Sequence, residues 1–315
     1  MTKYDVIVIG GGAAGLSGAQ ALVRSRRSVL VIDDGSPRNA PADGVHNFLT
    51  RDGVPPREIY AIGRQEVQGY GGEFVDGTVT TARRDEEGFT VELADGTTYR
   101  SRRLLVTTGL TDVLPDVPGL AERWGKDVVH CPYCHGWEVR DQAIGVLATS
   151  PMALHQVQLF RQLSDDVTLF LHTAPELADE QWEELAARGI SVVQGKVEQL
   201  EVTGDRITGV RLEGGKVIPR QALAIQTTVR ARAGFLADLG LEATLVEANG
   251  VEVGTAVQVD GMGATQIPGV FAAGNVASPM AQVMPSAAAG LMAGAGINFD
   301  LISEETRLAV AARSS

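Results

Sequence analysis

The residues best able to do chemistry stand together in His130-Cys131-Pro132-Tyr133-Cys134-His135-Gly136. Two residues between cysteines allow a small disulfide ring when the turn opens a helix. A helix N-terminus and neighbouring imidazoles both favour the thiolate, which is the reactive form. His130 and His135 titrate near neutral pH and are candidates to move a proton on or off sulfur. The chain has 2 cysteines, too few for a secreted disulfide scaffold. The expectation is a redox-active dithiol with Cys131, Cys134, His130 and His135 as catalytic residues. Three rivals stand beside it. A zinc site wants about four ligands, yet His46, His155 and His172 are scattered and no second cysteine pair exists, so no metal is expected. Cys-x-x-Cys-His also spells a c-type haem attachment, which requires export. An inert buried pair is the third.

A second constellation opens the chain. Gly10-x-Gly12-x-x-Gly15 follows the apolar run 5–9 and begins a helical pattern through Leu22; a second buried strand, 29–32, then ends at Asp33. Gly10 permits the tight turn, Gly12 lets backbone approach a pyrophosphate, and Gly15 lets helix pack on strand. The pyrophosphate meets the positive end of the helix dipole. Asp33 is placed to accept hydrogen bonds from an adenosine ribose. This β-α-β unit predicts a bound dinucleotide, and the motif by itself leaves FAD or NAD open.

The remaining elements must bring these two constellations together. Residues 74–93 alternate like an antiparallel hairpin or meander, and 103–108 read as an apolar strand closed by Gly109. Leu114-Pro115-Asp116-Val117-Pro118-Gly119 marks a crossing between domains. Past the cysteines, a strand at 144–147, helix at 152–163 and strand at 167–171 repeat the α/β pattern. A short helix at 181–188 and a hairpin at 197–202 and 207–212 follow. The chain closes with a strand at 269–274 and a helix from about Pro285. The predicted fold is α/β, with two Rossmann-type dinucleotide-binding-like domains of three-layer ββα form, the second inserted into the first. Residues 1–114 and 242–315 form the dinucleotide-binding domain, and 115–241 the insert carrying the cysteines.

Composition bounds the function classes. The 315 residues are 44% hydrophobic and 21% charged, an ordinary globular balance. The 37 glycines exceed average usage of roughly 7%, as many tight strand-to-helix turns require. A net charge of −12 disfavours nucleic acid and anionic membranes as partners. The N-terminal run lacks signal-peptide form, and the apolar stretch 287–297 is short of the roughly 20 residues a span needs. A cytoplasmic protein is expected.

Gly10-x-Gly12-x-x-Gly15, Cys131-x-x-Cys134 and Gly269-Val270-Phe271-Ala272-Ala273-Gly274-Asn275 occur in an order that resembles low-molecular-weight thioredoxin reductases over nearly the whole chain. The resemblance implies FAD as cofactor, a homodimer, and a cysteine pair in the inserted domain that reaches the flavin. It implies the cofactor-binding set Gly10, Gly12, Ala13, Ala14, Gly15, Asp33, Asn47, Gly109, Gly274, Asn275, Gln282 and Val283. Asn47 matches an Asn beside the flavin ring, and Gln282 and Val283 match helix-start residues facing its pyrimidine. Asn275 stands where the reductases carry an Asp that binds the ribityl chain.

The chain departs from the reductases where they bind NADPH. Their second Gly-x-Gly-x-x-Ala is Ala148-Thr149-Ser150-Pro151-Met152-Ala153 here, and their His-Arg-Arg is His172-Thr173-Ala174. Bulk replaces two turn glycines and no cation awaits a 2′-phosphate. The run Cys131 to Glu138 resembles instead the flavoenzymes that oxidise small dithiols in holomycin- and gliotoxin-type biosynthesis. That resemblance implies oxidation of a small-molecule dithiol to a disulfide through Cys131 and Cys134, with O2 as acceptor giving H2O2. The alternatives are a disulfide reductase fed by ferredoxin or NADPH, and a flavin-binding dithiol sensor.

Overall fold

The computed structural model describes residues 3–314; Met1, Thr2 and Ser315, at the outer ends of the expected FAD-binding domain, lie outside them. The first strand, Lys3–Ile9, pairs in parallel with Val29–Asp33 on one side and Thr98–Val106 on the other. Its side chains alternate between two cores. Val6 and Val8 face the helix Ala13–Arg24, while Ile7 and Ile9 pack with Phe89 and Val91 of the antiparallel meander. Burial on both faces is why this strand reads as an unbroken apolar run.

The strand Thr98–Val106 serves two partners along one edge. Its first half pairs antiparallel with Gly88–Leu93, and its second half pairs in parallel with Val270–Ala272. The chain thus leaves this sheet after residue 106 and returns to it at 270. The meander begins later than the alternation suggests, because Glu73–Asp76 pairs in parallel with Val29–Asp33 and extends the main sheet instead.

Between those points lies a second parallel sheet, ordered Ser191–Val193, Val167–Phe170, Ile144–Leu147, Ala222–Ile225 and Val128–Val129. A three-stranded meander, Val197–Thr203 with Arg206–Leu212 and Val217–Ile218, covers one of its faces through Leu200, Ile207 and Val210. The helix Ala153–Phe160 covers the other through Val157 and Phe160. The architecture is that of two Rossmann-like α/β units. They are joined by Leu110–Val113 and Thr228–Ala231, which pair antiparallel with each other beside the hairpin Thr244–Ala248 and Val251–Ala256.

The long helix Val283–Ser314 lies against Ala13–Arg24. A Cβ at Gly290 would stand 2.0 Å from the Ala14 carbonyl oxygen, so the two backbones meet where glycine alone fits. That contact accounts for the small-residue stretch 287–297. Farther along, Glu305 accepts hydrogen bonds from Arg27 and Arg102, and Glu304 from Arg102 and Arg103. Among the described residues no helix is long and apolar enough to cross a membrane.

Candidate active site

Cys131 caps the short helix Pro132–His135, and its carbonyl accepts the N–H groups of Cys134 and His135 at 3.1 Å. Proline at the first helical position, where no N–H is needed, sets this turn. The sulfurs are free thiols, both half-buried. The Cys134 S–H donates to the Cys131 sulfur and is the largest influence pulling the Cys131 thiol down to about 6. Burial opposes it, and the N–H groups of Cys134 and Tyr133 and the side-chain amide of Gln282 assist. The same bond, together with burial, pushes Cys134 far above the usual thiol range. The arrangement therefore holds a thiolate at position 131 and a thiol at 134.

Two histidines flank the pair in different settings. The ring of His130 is fixed by Nδ1–H donation to the Ile225 carbonyl at 3.1 Å, and burial followed by the Arg38 charge lowers its pKa. Burial also lowers His135, and its Nε2 is buried with no hydrogen-bond partner among the described residues. His135 is thus held neutral, with a buried and unpaired ring nitrogen. His46 lies between Asp52 and Glu138, its two nitrogens 3.3 Å from a carboxylate oxygen of each.

Both cysteines and both histidines line a cavity of about 940 Å³ that also includes Gly10, Gly12, Ala13, Ala14, Asp33, Gly109, Gly274, Asn275, Gln282 and Val283. Ligand sites commonly span about 300–1,000 Å³, so the volume suits a dinucleotide with a small substrate beside it. The turn is shaped accordingly. Gly10 has φ +105°, and a Cβ there would stand 2.5 Å from the Thr107 carbonyl oxygen. The Gly11 N–H donates to Asp33 at 2.9 Å, fixing the acid at the end of its strand. Gly12 and Gly109 face open space. Gly15 lies behind the turn instead, where a Cβ would stand 1.8 Å from the Gly10 carbonyl oxygen. These residues fit a bound dinucleotide, with the helix Ala13–Arg24 pointing its N-terminus at the phosphates.

Two expected cofactor residues have a different occupation. The Asn47 side chain donates to the Tyr133 carbonyl at 2.5 Å and holds the cysteine turn, with its own backbone at φ +57°. Asn47 is not among the cavity-lining residues, although His46 is. The Asn275 amide donates to the carbonyls of Ser278, Pro279 and Ala281 at 3.2, 3.2 and 2.8 Å. An ionised Asp could donate to none of them, which gives the substitution a local reason.

Sequence reasoning missed Arg38. Its guanidinium forks onto Asp112 at 2.7 and 2.6 Å, and the Thr227 hydroxyl donates to the same carboxylate at 2.7 Å. Burial would raise Asp112, but these partners outweigh it and hold the carboxyl below its ordinary range. The network ties a loop of the first unit to the joining strand Leu110–Val113 and to Thr227, just ahead of the other joining strand, next to His130, and no local motif around Arg38 signals it.

Where the reductases hold a second nucleotide, the hollow is small. Ala148, Ser150 and Pro151 line a hollow of about 90 Å³ together with Leu171, Ala174, Pro175 and Glu176, room for about three waters. The Ala148 carbonyl accepts N–H bonds from Thr173 and Ala174, folding the next loop back over the turn. His172 turns inward, and its Nδ1 accepts the Val197 N–H at 3.0 Å. None of the residues lining the hollow is a cation.

Comparison with known proteins covers almost the whole chain. A family model described as pyridine nucleotide-disulphide oxidoreductase matches residues 4–294. Thioredoxin reductase tcpT of Claviceps purpurea is 34% identical over 312 residues, covering 95% of each chain. Thioredoxin reductase sirT of Leptosphaeria maculans is 31% identical over 328 residues, covering 99% of this chain and 97% of that one. Among solved structures, HlmI is similar with a TM-score of 0.91 and 44% identity, over 99% of this chain and 96% of its own. An oxidoreductase from Agrobacterium tumefaciens has a TM-score of 0.88 and 36% identity, over 96% and 99%.

Proposed function

The chain belongs to the pyridine nucleotide-disulphide oxidoreductase family, and on that premise we propose that it oxidises a small dithiol to a disulfide. It is a thioredoxin-reductase-like thiol–disulfide oxidoreductase with FAD as its cofactor. One observation supports the oxidising direction above the others. The cysteine pair lines the large cavity of the first nucleotide site, while the second site is a hollow of about 90 Å³ without a cation. That contrast favours the thiol substrate over a pyridine nucleotide as the electron source.

The cycle starts with Cys131 and Cys134 as a disulfide. A substrate thiolate attacks Cys131 Sγ, a bond forms between those sulfurs, and the Cys131–Cys134 bond breaks with its electron pair on Cys134. His135 takes the proton from the entering thiol, and that proton passes to Cys134, which the broken bond has left as thiolate. The second substrate thiolate attacks the substrate sulfur of the mixed disulfide, forms the product and expels Cys131 as thiolate. The resulting thiolate at 131 and thiol at 134 are the forms this site favours. FAD, when bound, would supply the two-electron acceptor for the dithiol, with O2 as final acceptor taking two electrons and the two substrate protons to leave as H2O2. Gly10, Gly12, Ala13, Ala14 and Asp33 would hold its adenosine and phosphates, and Gly274 to Val283 its ring end.

Exposed Tyr133 and Met280 line the same cavity and offer apolar surface to the body of a small substrate. A homodimer accompanies this reading. Met284, Leu291, Met292, Phe299 and Ile302 are exposed at helical spacing along Val283–Ser314, an apolar stripe suited to a second copy.

The test is anaerobic. A small dithiol should bleach the flavin, and air should restore its colour with release of peroxide. Bleaching by NADPH and not by the dithiol would return the chain to ordinary disulfide reduction.

A further inference from the structure

We propose that Gln282 holds the Cys131 thiolate: its side-chain amide, reaching across from the first unit, stabilises the charge on that sulfur whenever the sulfur is set free. The Gln282 Nε2 lies 3.7 Å from Cys131 Sγ, within reach of an N–H···S hydrogen bond. The remaining donors to that sulfur, Cys134 and the Tyr133 backbone, belong to its own turn. Gln282 comes from elsewhere in the chain.

The aim of this side chain is built into the backbone around it. The preceding carbonyl, that of Ala281, accepts the Asn275 amide at 2.8 Å. The Gln282 carbonyl accepts the Ser286 N–H at 3.0 Å as the long helix begins. Both flanks of the residue are therefore tied, which fixes the backbone from which the amide reaches the sulfur.

An amide suits this position chemically. It donates a hydrogen bond but has no proton to surrender near neutral pH, so it stabilises the thiolate without neutralising it. An imidazole or ammonium at the same place would exchange its proton with the sulfur. The effect falls on the second exchange of the proposed cycle. There the second substrate sulfur bonds to the first, the bond from the first to Cys131 breaks, and the electron pair lands on Cys131 Sγ. A thiol of lower pKa leaves faster in that step. The amide contacts Cys131, so it also biases which sulfur of the reduced pair carries the charge.

The inference deepens the dithiol-oxidase reading, but it is tested on the acidity of one thiol, independently of turnover. In the Cys134→Ser holoenzyme Cys131 is the one thiol left, and its alkylation by iodoacetamide is followed by mass spectrometry across pH. Adding Gln282→Ala should move the alkylation midpoint up by about one pH unit, roughly tenfold in the thiolate equilibrium. Gln282→Glu keeps the size, replaces the donor with a carboxylate and should move it further. Flavin absorbance reports cofactor retention in each variant. An unchanged midpoint in either folded variant overturns the inference, and flavin loss with an unchanged midpoint assigns Gln282 to the cofactor alone. A raised midpoint in a protein that fails to oxidise dithiols in air would sustain the inference while refuting the proposed function.

Discussion

Replacing Gly12 with Ala separates what the glycine turn does for the cofactor from what it does for the fold. A Cβ at Gly12 meets nothing within 4 Å, and its φ of −76° with ψ of −169° suits any residue. As an N-cap, Ala is poorer than Gly by about 1 kcal/mol or less. A stiffer unfolded chain returns about 0.4–1 kcal/mol. The two nearly cancel, so the FAD-free protein should change in Tm by about 2 °C or less. The flavin fares differently. A methyl group intruding where backbone approaches the pyrophosphate costs about 1–3 kcal/mol, or roughly 5- to 150-fold in Kd. Gly15→Ala is the contrasting variant. Its Cβ would stand 1.8 Å from the Gly10 carbonyl oxygen and 2.7 Å from Thr107 Oγ1, so the strand–helix packing itself must give way. Calorimetry of the FAD-stripped proteins and flavin fluorescence titrations measure the two effects separately. Binding by Gly12→Ala within twofold of wild type would refute the reasoning, as would unfolding as early as Gly15→Ala.

Two further outcomes follow from ionisable groups. Asn275→Asp places a carboxylate against the carbonyls of Ser278, Pro279 and Ala281, raising its folded pKa above the unfolded value of about 3.9. The variant's deficit against wild type should therefore grow from pH 5 to pH 8 in urea unfolding, and an equal deficit at both would contradict the assignment. Arg27 and Arg102, through hydrogen bonds, pull Glu305 down to about 2. Its contribution is complete above the unfolded carboxyl range near 4.5 and is lost as pH falls from there toward 2. Its side chain is 42% exposed, so screening holds the effect to about 1 kcal/mol or less. Glu305→Gln should reduce the salt dependence of stability at pH 6 and leave pH 2 unchanged.

The parts of this molecule legible in sequence are those whose causes are local. The first β-α-β unit shows itself because Val6 to Ile9 are buried on both faces and the glycines stand where Gly10 meets Thr107, Gly15 meets Gly10 and Gly12 leaves open space. The cysteine turn is equally plain, since proline after Cys131 and two-residue spacing set it without outside help. Elements built on distant partners are not legible. Thr228–Ala231 is a strand because Leu110–Val113, more than a hundred residues earlier, offers it an edge, and no local period encodes such a pairing. The Arg38–Asp112–Thr227 network is hidden for the same reason. Asn47 and Gln282 fall between these cases. Motif position brings them to the right region, but which atom each one holds depends on how the two units meet. The helix Ala153–Phe160 is also shorter than its apolar pattern suggests, with Met152 as its cap and the chain turning at Arg161 to Leu163.

Asn47 on the Tyr133 carbonyl and Gln282 on the Cys131 sulfur are bonds between the two units. A fluctuation that parts the units breaks both together. The sulfur that swings into solvent then loses that hydrogen bond but also sheds the burial that opposes its charge. Parting the units thus removes a support and a penalty at once, and the sulfur becomes reachable without being stripped of its charge.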